Sequence, residues 1–268
     1  MNRKEFTTTI YHLNSPVKIA LVTDTHNHNM GQVISSLRDM KPEIICIAGD
    51  FVYARLPEKG LKMRHTKYAM RLLKACSKIA PTFVSLGNHE WMLNSRDLNI
   101  IRRTGVNLLD NDYVHLEKGS VDLVIGGLTS AAPMAYRAYV ASMNPMEMEP
   151  DVIYPPLHPR DGRLLAKEPD VRWLDEFCTQ KGYKILLCHH PEYYPRHIKG
   201  REIDLILSGH AHGGQIRILG QGLYAPGQGV FPRLTSGVVD GRLVISRGLS
   251  NNTVVPRWLN EPEIVYIT

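Results

Sequence analysis

The residues most able to do chemistry in this chain come in five short groups. Asp24 and His26 lie in TDTH, Asp50 in AGD, Asn88, His89 and Glu90 in GNHE, His189 and His190 in CHHP, and His210 and His212 in SGHAH. Asp24/His26 and His210/His212 share an i, i+2 spacing, which on an extended segment sends both side chains to one side. Each pair can therefore reach one centre. Taking one of His189 and His190, the set is two aspartates, one asparagine and four histidines with no thiolate, a mixed oxygen and nitrogen environment suited to Mn, Fe or Zn. One tetrahedral ion needs fewer ligands. Two ions about 3.5 to 4 Å apart, bridged by a carboxylate, would use them all, and such a pair can clamp the oxygens of an in-line phosphoryl displacement.

The elements that must carry these groups are legible as an alternation of apolar runs and amphipathic stretches. VKIALVT, EIICIAGD, TFVSLGN, YKILLC and IDLILS read as buried strands, and each of the five groups follows one of them. GQVISSLRDM and the basic segment Arg55 to Lys78 read as helices between the first three strands, a βαβαβ start with parallel strands. A further helix is expected from about Ser95, with shorter strands around Val106, Tyr113 and VDLVIGGL. Asp170 is expected to cap a helix over VRWLDEFCTQK that Gly182 closes, and GRLVIS and EIVYIT read as the last strands. In open α/β sheets the carboxyl ends of strands share one rim. Residues far apart in sequence can meet there, and the fold class is α/β.

D-x-H, GD, GNHE, H-x-P and GHAHGG, in this order and each after an apolar strand, resemble the calcineurin-like metallophosphoesterase superfamily over nearly the whole chain. SGHAHGGQ with VISRGL and the closing PEIVYIT is most similar to the small bacterial YkuE/YaeI-like branch. The resemblance implies a four-layer α/β/β/α sandwich of two facing mixed β-sheets flanked by helices. It implies phosphoester hydrolysis at a dinuclear site, with a metal-bridging hydroxide attacking phosphorus in line. By motif position it implies Asp24, His26 and His212 on one metal, Asn88, His189 and His210 on the other, and Asp50 between them. His189 is selected because the family places its ligand two residues before the proline, although a turn at a strand end can rotate either His189 or His190 inward. His89 is implied as the general acid or charge stabiliser on the leaving side, with Glu90 orienting it.

The substrate expected is a phosphoester, small or lipid-linked, and a diester before a monoester, because the five groups contain no Arg or Lys cluster to meet a second phosphoryl charge. Arg217, just beyond GHAHGGQ, is the candidate substrate-binding cation. The alternatives are a pyrophosphohydrolase of nucleotide-linked, UDP-acyl-sugar-like substrates and a non-catalytic scaffold. Manganese is the expected metal, with iron or zinc as the other candidates.

Composition bounds the rest. With 268 residues, 43% hydrophobic and 22% charged, the chain is expected to form a single domain over 1–268, with a Pro/Met-rich insertion at about 131–170 and a short helix near 135–142 within it. No apolar run approaches a membrane span, and MNRKEFTTTIYHLNS lacks the apolar stretch of a secretion signal, so a cytoplasmic location is expected, with peripheral membrane contact open. The balance of 32 Lys+Arg against 26 Asp+Glu gives a formal +6 and a pI near 9.1. Lys67, Arg71, Lys74 and Lys78 fall on one helical stripe, read as a solvated face ahead of a lipid or nucleic-acid patch. Cys46, Cys76, Cys178 and Cys188 show no CxxC spacing and read as buried thiols.

Overall fold

The computed structural model describes residues 6–53, 66–93, 95–131, 168–251 and 255–268. In chain order the first half gives β1 (Thr7–Tyr11), β2 (Ile19–Val22), α1 (Gly31–Met40), β3 (Ile44–Ala48), α2 (Lys67–Ile79) and β4 (Thr82–Ser85). It continues with α3 (Ser95–Arg102), β5 (Asn107–Leu109), β6 (Asp112–Lys118) and β7 (Val121–Leu128). The second half gives α4 (Leu174–Thr179), β8 (Tyr183–Cys188) and β9 (Leu205–Ser208). Two small hairpins follow, β10 (Arg217–Ile218) with β11 (Gln221–Gly222) and β12 (Tyr224–Ala225) with β13 (Gly229–Val230). The chain ends with β14 (Gly237–Val239), β15 (Leu243–Ile245) and β16 (Glu263–Ile267).

Twelve of these strands form two six-stranded sheets, ordered β1-β16-β2-β3-β4-β5 and β14-β15-β9-β8-β7-β6. The period of two along each strand sorts side chains between layers. Ile45 and Ile47 of β3 join Val33, Ile34 and Leu37 of α1 and Leu72 and Leu73 of α2 in one core. Ile44, Cys46 and Ala48 turn the other way and meet Ile185 and Leu187 of β8 and Leu205 and Leu207 of β9 between the sheets. Leu186 and Ile206 face outward again, onto Leu174 and Phe177 of α4. Helices, sheet, sheet and helix thus stack in four layers. Each fully buried aliphatic or phenyl side chain contributes about 1.5 to 3 kcal/mol of burial free energy, and the central strands β2, β3, β4 and β9, buried at every position, carry them on both faces.

α2 buries Ala69, Leu72, Leu73 and Cys76, while Lys67, Arg71, Lys74 and Lys78 all lie exposed, as the stripe requires. Two features depart from the sequence reading. Asp170 does not cap a helix: its carboxylate takes the Arg172 guanidinium at 2.7 and 2.9 Å, and α4 starts only at Leu174 with no side-chain cap. The β1 strand, TTTIY, carries no apolar run, yet pairs in parallel with β16. β16 in turn runs antiparallel to β2, which makes the first sheet mixed. The expected helix near 135–142 and nearly all of the 131–170 insertion lie outside the described residues, as does the basic segment before Thr66. No helix among the described residues is long and apolar enough to cross a membrane.

Candidate metal centre

β2, β3 and β4 run parallel in one sheet and β8 and β9 run parallel in the other. Their carboxyl ends meet at one rim, and every one of the five groups sits there. The backbone turns sharply just past β2, β3 and β9. Asp24 (φ 53°), His26 (φ 41°), Asp50 (φ 53°), His210 (φ 63°) and His212 (φ 46°) all adopt the left-handed region, which costs a non-glycine residue and concentrates at functional sites. The strain is held by the surrounding hydrogen bonds. The His210 N–H donates to both Asp24 carboxylate oxygens at 3.2 Å, linking the two sheets, and the His26 N–H donates to the Asp50 carbonyl at 3.0 Å.

Two glycines allow the close approach. A Cβ on Gly87 would lie 2.2 Å from Asp50 Oδ1, and one on Gly209 would lie 2.4 Å from Asp24 Oδ2. No side chain larger than hydrogen fits beside either carboxylate.

The ligating atoms converge as follows. Asp24 Oδ1 stands 3.5 Å from His212 Nε2, 4.0 Å from His26 Nε2 and 3.9 Å from His189 Nε2. Asp50 Oδ2 stands 3.0 Å from His189 Nε2, 4.0 Å from His26 Nε2 and 3.9 Å from His89 Nε2. Asp24, His26 and His212 form one grouping whose donor atoms lie within 4.8 Å of one another, and His189, His190 and His210 form another. Asp24, Asp50 and His189 connect them.

Second partners orient the imidazoles. His189 Nδ1 lies 2.8 Å from the Ala48 carbonyl and His212 Nδ1 lies 3.1 Å from the Ser250 carbonyl. A carbonyl only accepts, so His189 Nδ1 carries a proton and Nε2 is the atom turned to the centre, while His212 Nδ1 lies between the Ser250 carbonyl and the Arg257 guanidinium, 3.2 Å away. Burial holds His26 and His210 well below the ordinary imidazole pKa, and both are neutral bases. For Asp50, burial opposes ionisation, but the imidazoles of His189 and His89 outweigh it and keep the carboxyl well below its usual range.

Residues 17–214 match the family model described as calcineurin-like phosphoesterase. The chain belongs to that family. As a calcineurin-like phosphoesterase it is a metal-dependent hydrolase acting on phosphoester bonds. It is 27% identical over 255 residues to the uncharacterized protein YpbG of Bacillus subtilis, covering 94% of this chain and 81% of that one. It is 25% identical to an uncharacterized metallophosphoesterase of Aquifex aeolicus, covering 85% of this chain and 73% of that one. Among solved structures, phosphopantetheinyl hydrolase (PptH) from Mycobacterium tuberculosis superposes with a TM-score of 0.44 at 13% identity, covering 72% of this chain and 82% of that one.

The residues of this calcineurin-like site fit divalent cations on a test internal to the structure. His26 Nδ1 and Nε2 and Asn88 Oδ1 are buried without a hydrogen-bond partner. Buried polar atoms are ordinarily paired, and imidazole nitrogens and an amide oxygen left unpaired beside two carboxylates are the donor set that a cation would satisfy.

Glu90, expected to orient His89, is fully buried and its carboxylate accepts three backbone N–H groups, from Asp50 (2.8 Å), Val52 (2.9 Å) and Gly87 (2.7 Å). Burial and the neighbouring Asp50 charge push its pKa up to about 8. It positions the Asp50 turn. Arg217 turns its guanidinium onto the carbonyls of Gly213 and Gly220 and the Thr235 hydroxyl, bracing the turn after the histidine motif. His190 is buried with Nδ1 2.8 Å from Ser130 Oγ.

Several residues of the site escape sequence reasoning. Arg257 donates to the carbonyls of Ser250 and Arg247 behind His212. Asn260 donates to the carbonyls of His212 and Gln215, and Glu192 Oε1 approaches His210 Nε2 to 3.7 Å. Ser130 alone had a usable signal, since it ends the apolar run of β7 at the same rim. The others sit in irregular segments where spacing carries no information.

Proposed function

We propose that this phosphoesterase hydrolyses phosphodiesters at a dinuclear centre, with Asp24, His26 and His212 holding one ion, Asn88, His189 and His210 the other, and Asp50 bridging. The observation that carries this reading is the position of Asp50, whose Oδ2 is within 4.0 Å of imidazole nitrogens from both groupings. Manganese, iron or zinc all suit the donor set. When bound, the ions supply an activated water and neutralise charge on the phosphoryl oxygens.

The chain's own part is placement and proton supply. Asp24 and Asp50 bring the anionic charge that retains the ions, and Glu90 fixes Asp50 through the backbone. His89 keeps a partly exposed ring 3.9 Å from Asp50 Oδ2 and its backbone N–H donates to Asp50 Oδ1 at 2.9 Å, so the ring borders the centre on its open side. There it protonates the leaving oxygen.

The diester preference draws support from Arg217. A monoester dianion calls for an extra cation, but Arg217, the candidate cation, spends its guanidinium on the main-chain carbonyls of Gly213 and Gly220; Arg257 commits only Nη2 in this way and keeps Nε and Nη1 buried without a partner. Matched aryl diesters and monoesters test the reading: kcat/KM is expected to be higher for the diester, and Arg217→Ala is expected to leave the ratio unchanged. A strong monoester preference that collapses in Arg217→Ala overturns it.

A further inference from the structure

We infer that the loops beside the histidine motif form a docking surface for an anionic phospholipid bilayer. Three neighbouring segments expose large apolar side chains: Ile218 and Leu219, Val230 and Phe231, and Trp258 and Leu259. The segments adjoin one another through the backbone. The Arg217 N–H donates to the Trp258 carbonyl at 3.0 Å, the Phe231 N–H to the Leu223 carbonyl at 2.9 Å, and the Leu223 N–H to the Ile216 carbonyl at 2.9 Å. The Gln221 side chain joins the first hairpin to the Pro232 carbonyl at 2.8 Å.

What separates this patch from ordinary surface leucines is the backbone beneath it. Leu219 (φ 49°), Phe231 (φ 52°) and Leu259 (φ 52°) all occupy the left-handed region, where a bulky residue is strained and glycine or asparagine would be favoured. In water these three side chains gain nothing from packing: Leu219 is fully exposed, Phe231 is 70% exposed and Leu259 is 67% exposed. Each turn thus bears a strained, solvated hydrophobe where a polar residue would be more stable. That combination is explained by a function of the side chain outside the isolated fold.

Charge selects the partner. From Ala211 to Val239 the chain carries Arg217 and Arg233 and no acidic residue, and the whole chain is formally +6. Arg233 is exposed, Arg217 is held by main-chain carbonyls and exposed Glu261 follows the third segment, so it is the apolar turns with an exposed tryptophan, beside Arg233 and on a chain of net positive charge, that match the boundary between anionic headgroups and acyl chains. The same segments border the metal centre. Gly214, two residues beyond His212, packs on Gly222, and Gly227 lies against Glu192 and His210, so a docked bilayer lies beside the site. The inference stands independently of which phosphoester is hydrolysed.

The test is co-sedimentation of the full, metal-loaded chain with vesicles of 3:1 phosphatidylcholine to phosphatidylglycerol and of phosphatidylcholine alone. Wild type is expected to bind the anionic vesicles more tightly than the neutral ones, with a blue shift of tryptophan emission that Trp258→Phe removes. The combined variant Leu219→Asn, Phe231→Asn and Leu259→Asn is expected to lose roughly tenfold or more in partitioning. It should keep its metal content and melt no lower than wild type, because asparagine suits the left-handed turns. Wild type failing to bind anionic vesicles, or the triple variant binding as well as wild type, overturns the inference. A concentration-dependent dimer in light scattering that the triple variant abolishes, without vesicle binding by wild type, assigns the surface to a second copy of the chain instead.

Discussion

His89 differs from the other histidines of the centre in its access to solvent. Its side chain is 21% exposed, against 9% for His210, 5% for His212 and none for His26 and His189. An imidazole that faces outward while its backbone N–H is tied to Asp50 is placed to exchange a proton with substrate without holding the ions. His89→Ala is therefore expected to retain the metals while kcat falls by roughly 10² to 10⁴, with a smaller defect on nitrophenyl esters, whose leaving group needs little protonation. Asp50→Asn removes the charge shared by both groupings and should lose metal instead. Metal analysis beside turnover separates the two variants, and normal turnover of His89→Ala on a substrate with a poor leaving group would remove it from the mechanism.

At the scale of elements, the site depends on turns that follow β2, β3, β4, β8 and β9 rather than on the strands themselves. The turn after β4 is crowded, since Gly87 passes within reach of Asp50 and both donate backbone N–H groups to Glu90. Gly87→Ala places a methyl group 2.2 Å from Asp50 Oδ1 and 2.6 Å from Asp50 N, neither of which is a flexible end that can swing away. Overpacking of this kind costs about 1 to 3 kcal/mol, and it falls on the Asp50 carboxylate. The expected outcome is weakened metal retention with the circular dichroism of the fold preserved. Gly200→Ala, where nothing lies within 4 Å of the added carbon, serves as the control. Equal metal affinity in the two variants would show that the approach of Gly87 to Asp50 is not needed.

For the molecule as a whole, the ligand groups of both sheets meet at one rim, and ions bound there would tie the sheets together, so the fold and the metals stabilise each other. Ions bound at a thousandfold above their dissociation constant add about 4 kcal/mol per site, and for a chain of this size each kcal/mol moves Tm by roughly 2 to 4 °C. Chelation is expected to lower Tm by on the order of 10 °C or more, and reconstitution to restore it at close to two ions per chain. An unchanged Tm, or a stoichiometry that stays near one, would count against the dinuclear reading. By itself the sequence determined the five ligand-bearing strands and the order of their motifs, because strands buried on both faces must be continuous apolar runs and metal ligands must be a restricted set of residue types. It also determined the polarity of α2, because helical periodicity separates its lysines from its leucines. The cap at Asp170 misled, since the aspartate found a guanidinium two residues on before it found a helix terminus. β1 was invisible because an edge strand with alternating burial needs no apolar run. Only the tertiary structure decided that Glu90 holds backbone, that Arg217 braces a turn, and that Arg257, Asn260 and Glu192 join the centre. Those roles depend on what lies opposite a side chain in space, and in irregular segments no spacing along the chain encodes that.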